Sequence, residues 1–410
     1  MIPPTDQSQD AVPPPRVLYI ASGGINEPLI VSQVLRYLKR LSGTYETCHL
    51  ITLERDMPTD AAAIANRLAQ DGIHWQGLPA HGGMRVINLW REIYAGYQTG
   101  LKLIKEHRLN LIHARSFIPG NIGLRLAKKT NTEFLYDMRG FWADEKKAKG
   151  TIKSGWLFRR ALAMESRLFH HADALVSLTE AGKQKLIGDG VKTRIHIIPC
   201  CADTDLFRPA DQPSKTTAES SLRLISVGSL GAGYLPSAVF GLFKAASEVD
   251  PNASLQLLTR SDQSAIQKVA EEVGCDWNQV KVDSAKPDQV VDYLNQANVG
   301  LCMIGPSSAK LASSPTKLAE YLACGLPVIA NANMIGDVGE ILRQHRVGVI
   351  ADDFSPAGFQ AAIAQLKTLL TDPELAARCR QTAIKHFSVD VAVARYAAAY
   401  RQLMGVKAAH

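Results

Sequence analysis

Ser313-Ser-Pro-Thr-Lys-Leu-Ala-Glu-Tyr-Leu-Ala-Cys-Gly-Leu-Pro-Val-Ile-Ala330 decides the reading of the chain. Ser314 is an N-cap residue type and Pro315 suits the first helical position, so the stretch predicts a helix over 315–324 whose free amides point back from its start. Gly325 and Pro327 end that helix and lead into a strand over 326–330. A helix start attracts phosphate; Lys317 adds a full positive charge in the first turn, and Ser313, Ser314 and Thr316 add hydroxyl donors. Glu320 follows about one turn beyond Thr316 on the same side, an acceptor suited to the two hydroxyls of a ribose. A capped surface helix with a Lys and a Glu in its first turns is the plainer reading of the local pattern alone.

Outward from this stretch, short Val-, Ile- or Leu-rich runs alternate with longer amphipathic ones. In the first half the runs predict strands at 16–22, 46–53, 73–78, 109–114, 132–137, 173–178 and 194–198. In the second they predict strands at 222–228, 253–259, 279–282, 297–303, 326–330 and 347–350. Helices fit between them, and 374–404 reads as one further helical stretch. The expected fold class is α/β, two doubly wound parallel-sheet domains in tandem that share a ligand cleft at their strand ends. The expected boundaries are a proline-rich tail over 1–15, a first domain over 16–204 and a polar linker over 205–221. A second domain over 222–385 and a C-terminal helix over 386–410, free to return to the first domain, complete the plan.

The 410 residues carry a net charge of +7, unevenly distributed. Up to residue 204 the balance is +8 and beyond it −1, so an anionic partner is expected for the first half alone. Seven cysteines with no C-x-x-C spacing argue against a disulfide framework and a structural zinc site. The first residues lack the order of a signal peptide, and no run is long and apolar enough to span a membrane. A cytoplasmic protein is expected, placed by its basic half at the inner face of the membrane.

The quoted stretch resembles the nucleotide-binding signature of glycosyltransferase family 4, retaining enzymes of the GT-B fold. Ile198-Pro-Cys-Cys-Ala-Asp-Thr-Asp-Leu-Phe207 and Val227-Gly-Ser-Leu230 are similar to two further segments of that family. The resemblance implies a nucleotide-sugar donor held by Ser314, Thr316, Lys317, Leu318 and Glu320, with Glu320 on the ribose, and it implies no cofactor. Two departures stand out. The family often has a second Glu eight positions before the first, where this chain has Ala312. It also has an Arg/Lys pair clamping the pyrophosphate after Val227-Gly228, where Ser229 and Leu230-Gly-Ala-Gly-Tyr234 stand here. Ser229 and the glycine-rich turn are then left to approach the phosphates, and Tyr234 either covers the donor or simply packs. The chain is similar in this to a subgroup marked also by a D-x-R-G-x-W segment.

In the first half, Tyr19-Ile-Ala-Ser-Gly-Gly24 closes a strand in a flexible loop. The resemblance turns Gly23 and Gly24 toward the donor phosphates and Asn26 and Glu27 toward the acceptor. His113 and Arg115 end the fourth strand, Arg115 replacing the second His of the family's His-x-His, and Asp137-Met-Arg-Gly-Phe-Trp-Ala-Asp-Glu145 ends the fifth. These strands should be neighbours, which gathers His113, Arg115, Asp137 and Arg139 as catalytic candidates at the cleft edge. Trp142 and Glu145 are candidates for the acceptor side.

Lys146–Arg160 sets Trp156, Leu157 and Phe158 among cations, suited to an anionic membrane surface or a lipid pyrophosphate, or to a solvated helix face. Asp203-Thr-Asp205 is formally a D-x-D metal motif, but it falls inside a family-like segment, and metal-independent transfer is expected. A nicotinamide enzyme is disfavoured because Gly228, Gly231 and Gly233 lack the G-x-G-x-x-G spacing. Nothing accompanies the basic charge that would read nucleic acid. The expected partners are a nucleotide-sugar and a glycan or lipid-linked acceptor. A sugar-nucleotide epimerase on the same fold, or a degenerate transferase acting as a binding protein, is the rival reading.

Overall fold

A computed structural model of the chain describes residues 13–80, 86–153, 155–210, 221–231, 234–305, 308–331 and 336–408. Most of the proline-rich tail, residues 211–220 of the expected linker, Ser154 in the basic stretch, and Ala232 and Gly233 of the glycine-rich turn lie outside these residues.

Thirteen strands form two wholly parallel sheets. The first contains β1 (Arg16–Ser22), β2 (Thr47–Glu54), β3 (Ile73–Pro79), β4 (Leu111–Arg115), β5 (Glu133–Asp137), β6 (Ala174–Ser177) and β7 (Arg194–Ile197), in the order β3-β2-β1-β4-β5-β6-β7. The second contains β8 (Arg223–Val227), β9 (Ser254–Leu258), β10 (Val280–Asp283), β11 (Val299–Cys302), β12 (Val328–Ala330) and β13 (Gly348–Ile350), in the order β10-β9-β8-β11-β12-β13. Helices cover both faces, so central strands such as β4 and β11 are buried along their whole length and read as continuous apolar runs. Along β1, Val17, Tyr19 and Ala21 enter one core and Leu18 and Ile20 the other, the period of two that a covered sheet imposes. The order reverses between β1 and β4 and again between β8 and β11, where a doubly wound sheet opens a crevice at its strand ends.

The chain leaves the first core between Cys201 and Ala202 and returns between Phe387 and Val389. These two crossings run side by side, with Ala202 N donating to Phe387 O at 2.8 Å and Val389 N to Ala202 O at 3.0 Å. The expected linker therefore starts inside the second domain, because Phe207 is buried in that core. The helical stretch near the end is two helices, Leu375–Phe387 in the second domain and Val389–Ala408 on the first. The latter, hereafter the C-terminal helix, packs Ala392, Tyr396, Tyr400 and Leu403 against Tyr19, Cys48 and Leu111.

Arg40 locks the crossings by bonding Asp203 at 3.0 Å, Asp205 at 2.6 Å and Asp390 at 2.5 Å. The D-x-D pair is thus engaged by a guanidinium. From the other domain Arg380 donates to the carbonyls of Thr204, Phe207 and Ala323, the last at the end of the helix Thr316–Ala323.

Candidate functional site

The helix Thr316–Ala323 sits at the strand ends of the second sheet because Leu318, Tyr321 and Leu322 are buried in its core. Tyr321 ties it to the sheet, its hydroxyl accepting from Val227 N at 2.9 Å, and the ring fills the space left by Gly300 on β11. The helix starts differently from the sequence expectation. Pro315 takes the N-cap position with extended backbone and no side-chain cap. Ser314 instead accepts from Cys200 N at 3.2 Å, because the interdomain contact claims its hydroxyl. The helix start therefore has no side-chain cap; Leu318 N bonds back to Pro315 O at 3.1 Å, and Thr316 and Lys317 line the cleft.

That cleft has a volume of about 460 Å³ and is lined from both domains. It brings together Ser229, Tyr234, Thr316, Lys317 and Glu320, all expected from sequence. Lys317 is buried, makes no ion pair among the described residues, and lies with Nζ 4.4 Å from the centre of the Tyr234 ring. Burial lowers the pKa of this ammonium, against the pull of Cys302 and Glu320. A buried cation so poorly compensated favours an incoming anion. Gly228, at φ +102°, keeps the turn after β8 free of a side chain beside Lys317. Burial pushes the Glu320 carboxyl up to about 7, against Arg36 and Lys317.

Four members of the expected donor set lie elsewhere. Leu318 is a core residue, and together with Ser314 it borders a second cavity behind the helix, toward Asp337 and His386. Gly23 and Gly24 do not line the 460 Å³ cleft; side chains there would meet the carboxylates of Glu27 and Glu54. Glu54 is itself buried, accepting from Ile25 N at 2.9 Å and from the Thr52 hydroxyl. Ala312 is fully buried against Gly182 of the first domain, so this departure from the family pattern is built into the interdomain contact.

The first-sheet candidates do meet. Arg115 on β4 is registered with Asp137 on β5, as His113 is with Leu135. Asp137 is wholly buried and receives Arg139 at 3.2 Å and the Tyr396 hydroxyl at 3.0 Å, with Arg115 at 3.8 Å and His113 Nε2 at 3.7 Å. Burial opposes its ionisation, but Arg139, His113 and Arg115 together hold the carboxyl well below the usual range. His113 was expected at the cleft edge; it is 1% exposed, roofed by the C-terminal helix, with Nδ1 2.7 Å from the Tyr400 hydroxyl. Burial lowers its pKa, against the pull of Asp137, and so favours the neutral ring. Nε2–H facing Asp137 is then the favoured tautomer, and Nδ1 accepts from Tyr400. Arg139 continues outward, donating to Cys200 Sγ at 2.9 Å. Ser116, just after β4, stands at φ +82°, a conformation that costs a non-glycine residue on the order of 1–3 kcal/mol.

Asn26 and Glu27 are exposed ahead of Pro28, which lines the cleft. Trp142 stacks on Phe117 at 4.0 Å and opens a short helix, Trp142–Ala148, whose first amides are capped by the buried Glu165, pushed up to about 7 by burial. Glu145 packs its carboxylate beside Gly140.

The sequence reading missed four residues. Tyr396 and Tyr400 carried no motif signal. Arg36 follows a π turn over Val31–Leu35 in which buried Gln33 donates to Cys201 O at 2.8 Å, and such turns often mark functional sites. Arg260, with Ser261, lines the cleft from the end of β9.

Residues 31–201 match the glycosyl transferase 4-like domain and residues 208–386 the glycosyl transferases group 1 domain. No curated protein matches the chain in sequence. Among solved structures, sucrose-phosphate synthase from Thermosynechococcus elongatus is similar at 16% identity and TM-score 0.71, over 95% of this chain and 100% of that one. HepE from Anabaena in complex with UDP and glucose is similar at 13% identity and TM-score 0.67, over 94% and 99%. A putative UDP-N-acetylglucosamine 2-epimerase from Listeria monocytogenes gives 12% identity and TM-score 0.57, over 93% and 94%. Two glycosyltransferase domains in tandem, each on its own parallel sheet and together lining one cleft, make this chain a glycosyltransferase of the GT-B fold.

Proposed function

We propose that the protein transfers a sugar from a nucleoside diphosphate donor, a UDP-sugar by preference, to a glycan, lipid-linked or other anionic acceptor, with retention of configuration. The observation that carries this reading is the juxtaposition of Lys317, Glu320 and an uncapped helix start in one interdomain cleft. Glu320 accepts from the ribose hydroxyls. Lys317 and the helix amides stabilise the charge that develops on the departing diphosphate. The bond from the anomeric carbon to the phosphate oxygen breaks as the acceptor oxygen attacks from the same face, and the acceptor proton passes to that phosphate oxygen. Fixed protein donors serve in place of a metal, a view supported by the engagement of Asp203 and Asp205 with Arg40. Arg139 and Arg115, held by Asp137, orient the sugar and acceptor. The preference for uridine is drawn from HepE, whose structure holds UDP.

The acceptor reading rests on the basic half. Trp156 and Leu157 are 60% and 43% exposed, and Lys146, Lys147 and Arg160 lie over the rings of Trp142, Phe158 and Trp156. No helix among the described residues is long and apolar enough to cross a membrane, and this patch suits contact with an anionic inner surface from the cytoplasmic side.

Thermal unfolding of the whole chain with UDP-, GDP- and ADP-sugars identifies the donor, since a ligand at a hundredfold its Kd adds about 2.7 kcal/mol. NMR of the product then reads the anomer. Stabilisation by a UDP-sugar and a retained product are expected; an inverted product, or no response to any donor, overturns the proposal. The epimerase likeness favours a second reading, in which a UDP-sugar incubated without acceptor returns its epimer.

A further inference from the structure

The structure assigns Arg36 and Arg260, one from each domain, as the clamp for the diphosphate in the cleft, an inference that rests on the nucleotide-sugar reading above. Among the described residues, the charged ones lining the cleft are Arg36, Arg260, Lys317 and Glu320, three cations against one carboxylate. That surplus matches the charge of a pyrophosphate, and a guanidinium fork fits its oxygens two at a time.

Neither guanidinium is closely held. Arg36 has a side chain only 21% exposed, and its nearest carboxylate, Asp203, is at 4.0 Å, while Arg40 takes that same aspartate at 3.0 Å. Neither Arg36 nor Arg260 makes a hydrogen bond among the described residues. Arg36, half-buried at the wall of the cleft with no hydrogen-bond acceptor, calls for a ligand oxygen, and Arg260, exposed where it lines the same cleft, is free to close on one.

The backbone around each is fixed. Arg36 follows the π turn anchored by Gln33 on Cys201, and Ser32, one turn earlier, lines the same cleft. The loop of Arg260 is braced by Ser261 N donating to Thr259 Oγ1 at 3.0 Å and by Ser261 Oγ accepting from Leu230 N at 3.0 Å. Arg260 is thereby joined to the turn of Gly228 and Ser229, where the phosphates would lie beside Lys317. Arg36 approaches from the opposite domain, near enough to Glu320 to oppose the rise of its pKa. A diphosphate would bridge the two domains through these residues, and a monophosphate would engage fewer of them.

The test is calorimetric titration of the full chain with UDP, UMP and inorganic pyrophosphate, in the parent protein, Arg36→Gln and Arg260→Gln. Each variant should lose about tenfold or more in affinity for UDP, as expected for a lost charge-assisted bond, and change little for UMP. Arg36→Lys and Arg260→Lys should restore part of the loss. Parent-like UDP to UMP ratios in both glutamine variants, with matching unfolding curves, overturn the clamp and leave the nucleotide reading standing. Pyrophosphate binding that is lost in the variants, with no nucleotide bound by the parent, supports the clamp and removes the nucleotide. Absence of binding by all three ligands to the parent overturns both.

Discussion

The strand-end edge of the first sheet and that of the second follow one plan and are finished in opposite ways. Above β4 and β5, Asp137 satisfies its charge within the protein, among Arg139, Arg115, His113 and Tyr396, beneath the C-terminal helix. Above β8 and β9, Lys317 makes no ion pair among the described residues, the helix start has no side-chain cap, and Thr316 and Lys317 line the cleft. At one edge the buried charge is paired within the protein, at the other a buried cation makes no ion pair among the described residues. Under the proposed function this division suits a transferase, the first wall orienting one substrate and the second taking its stabilisation from the donor.

The largest effect separating the edges is expected at Asp137. Asp137→Asn leaves Arg139 and Arg115 without their buried counter-charge and should cost about 3–5 kcal/mol, read by chemical denaturation. A loss below about 1 kcal/mol would mean that the first edge is not internally compensated.

Glu320→Gln should act in the reverse sense, on ligand use more than on folding. Donor turnover should fall by roughly one to two powers of ten if charge-assisted bonds to the ribose are lost. Its pH signature is separate. The carboxyl, ordinarily near 4.5, is pushed to about 7 by burial, so the unliganded fold is favoured by this group below pH 4.5 and loses that stability as pH rises through 7. Glu320→Gln should flatten that decline in a series of unfolding temperatures from pH 4 to 8. An unchanged slope would place the group in solvent.

Tyr396→Phe removes a bond to a charged carboxylate and should cost about 1.5–3 kcal/mol, and Tyr400→Phe about 1 kcal/mol. Both should leave UDP affinity intact, because neither residue lines the cleft. A change in UDP affinity would show that the two edges are coupled through the C-terminal helix. The smallest effect per side chain is expected outside both edges. Replacing Lys146, Lys147, Lys149 and Lys153 with Gln should weaken partitioning to anionic vesicles by about 1 kcal/mol per charge near the surface. Unchanged partitioning would return the patch to ordinary solvated surface.

Much of this was legible in the amino-acid order. Every strand lies within about two residues of its expected limits, because strands covered on both faces are short apolar runs between breakers. Lys317 and Glu320 were legible because one helical turn sets their spacing. The N-cap was misread for a reason outside the helix: Ser314 is drawn to Cys200 across the domain boundary. The clamp arginines were missed because each stands alone in its segment, and only folding brings Arg36 and Arg260 to one cleft.

The sequence by itself determined the two parallel-sheet domains, the helix that offers Lys317 and Glu320, and the adjacency of β4 and β5 that joins Arg115 to Asp137. These are local periodicities and neighbour pairings, set by side chains a few residues apart or by consecutive strands. Only the tertiary structure decided that His113 and Asp137 are roofed rather than open. Tyr396 and Tyr400 stand 259 and 287 residues beyond their partners and carry no motif of their own. The apolar face of the C-terminal helix is buried by returning across the hinge, and two hydroxyls travel with it into a charged cluster that needs them.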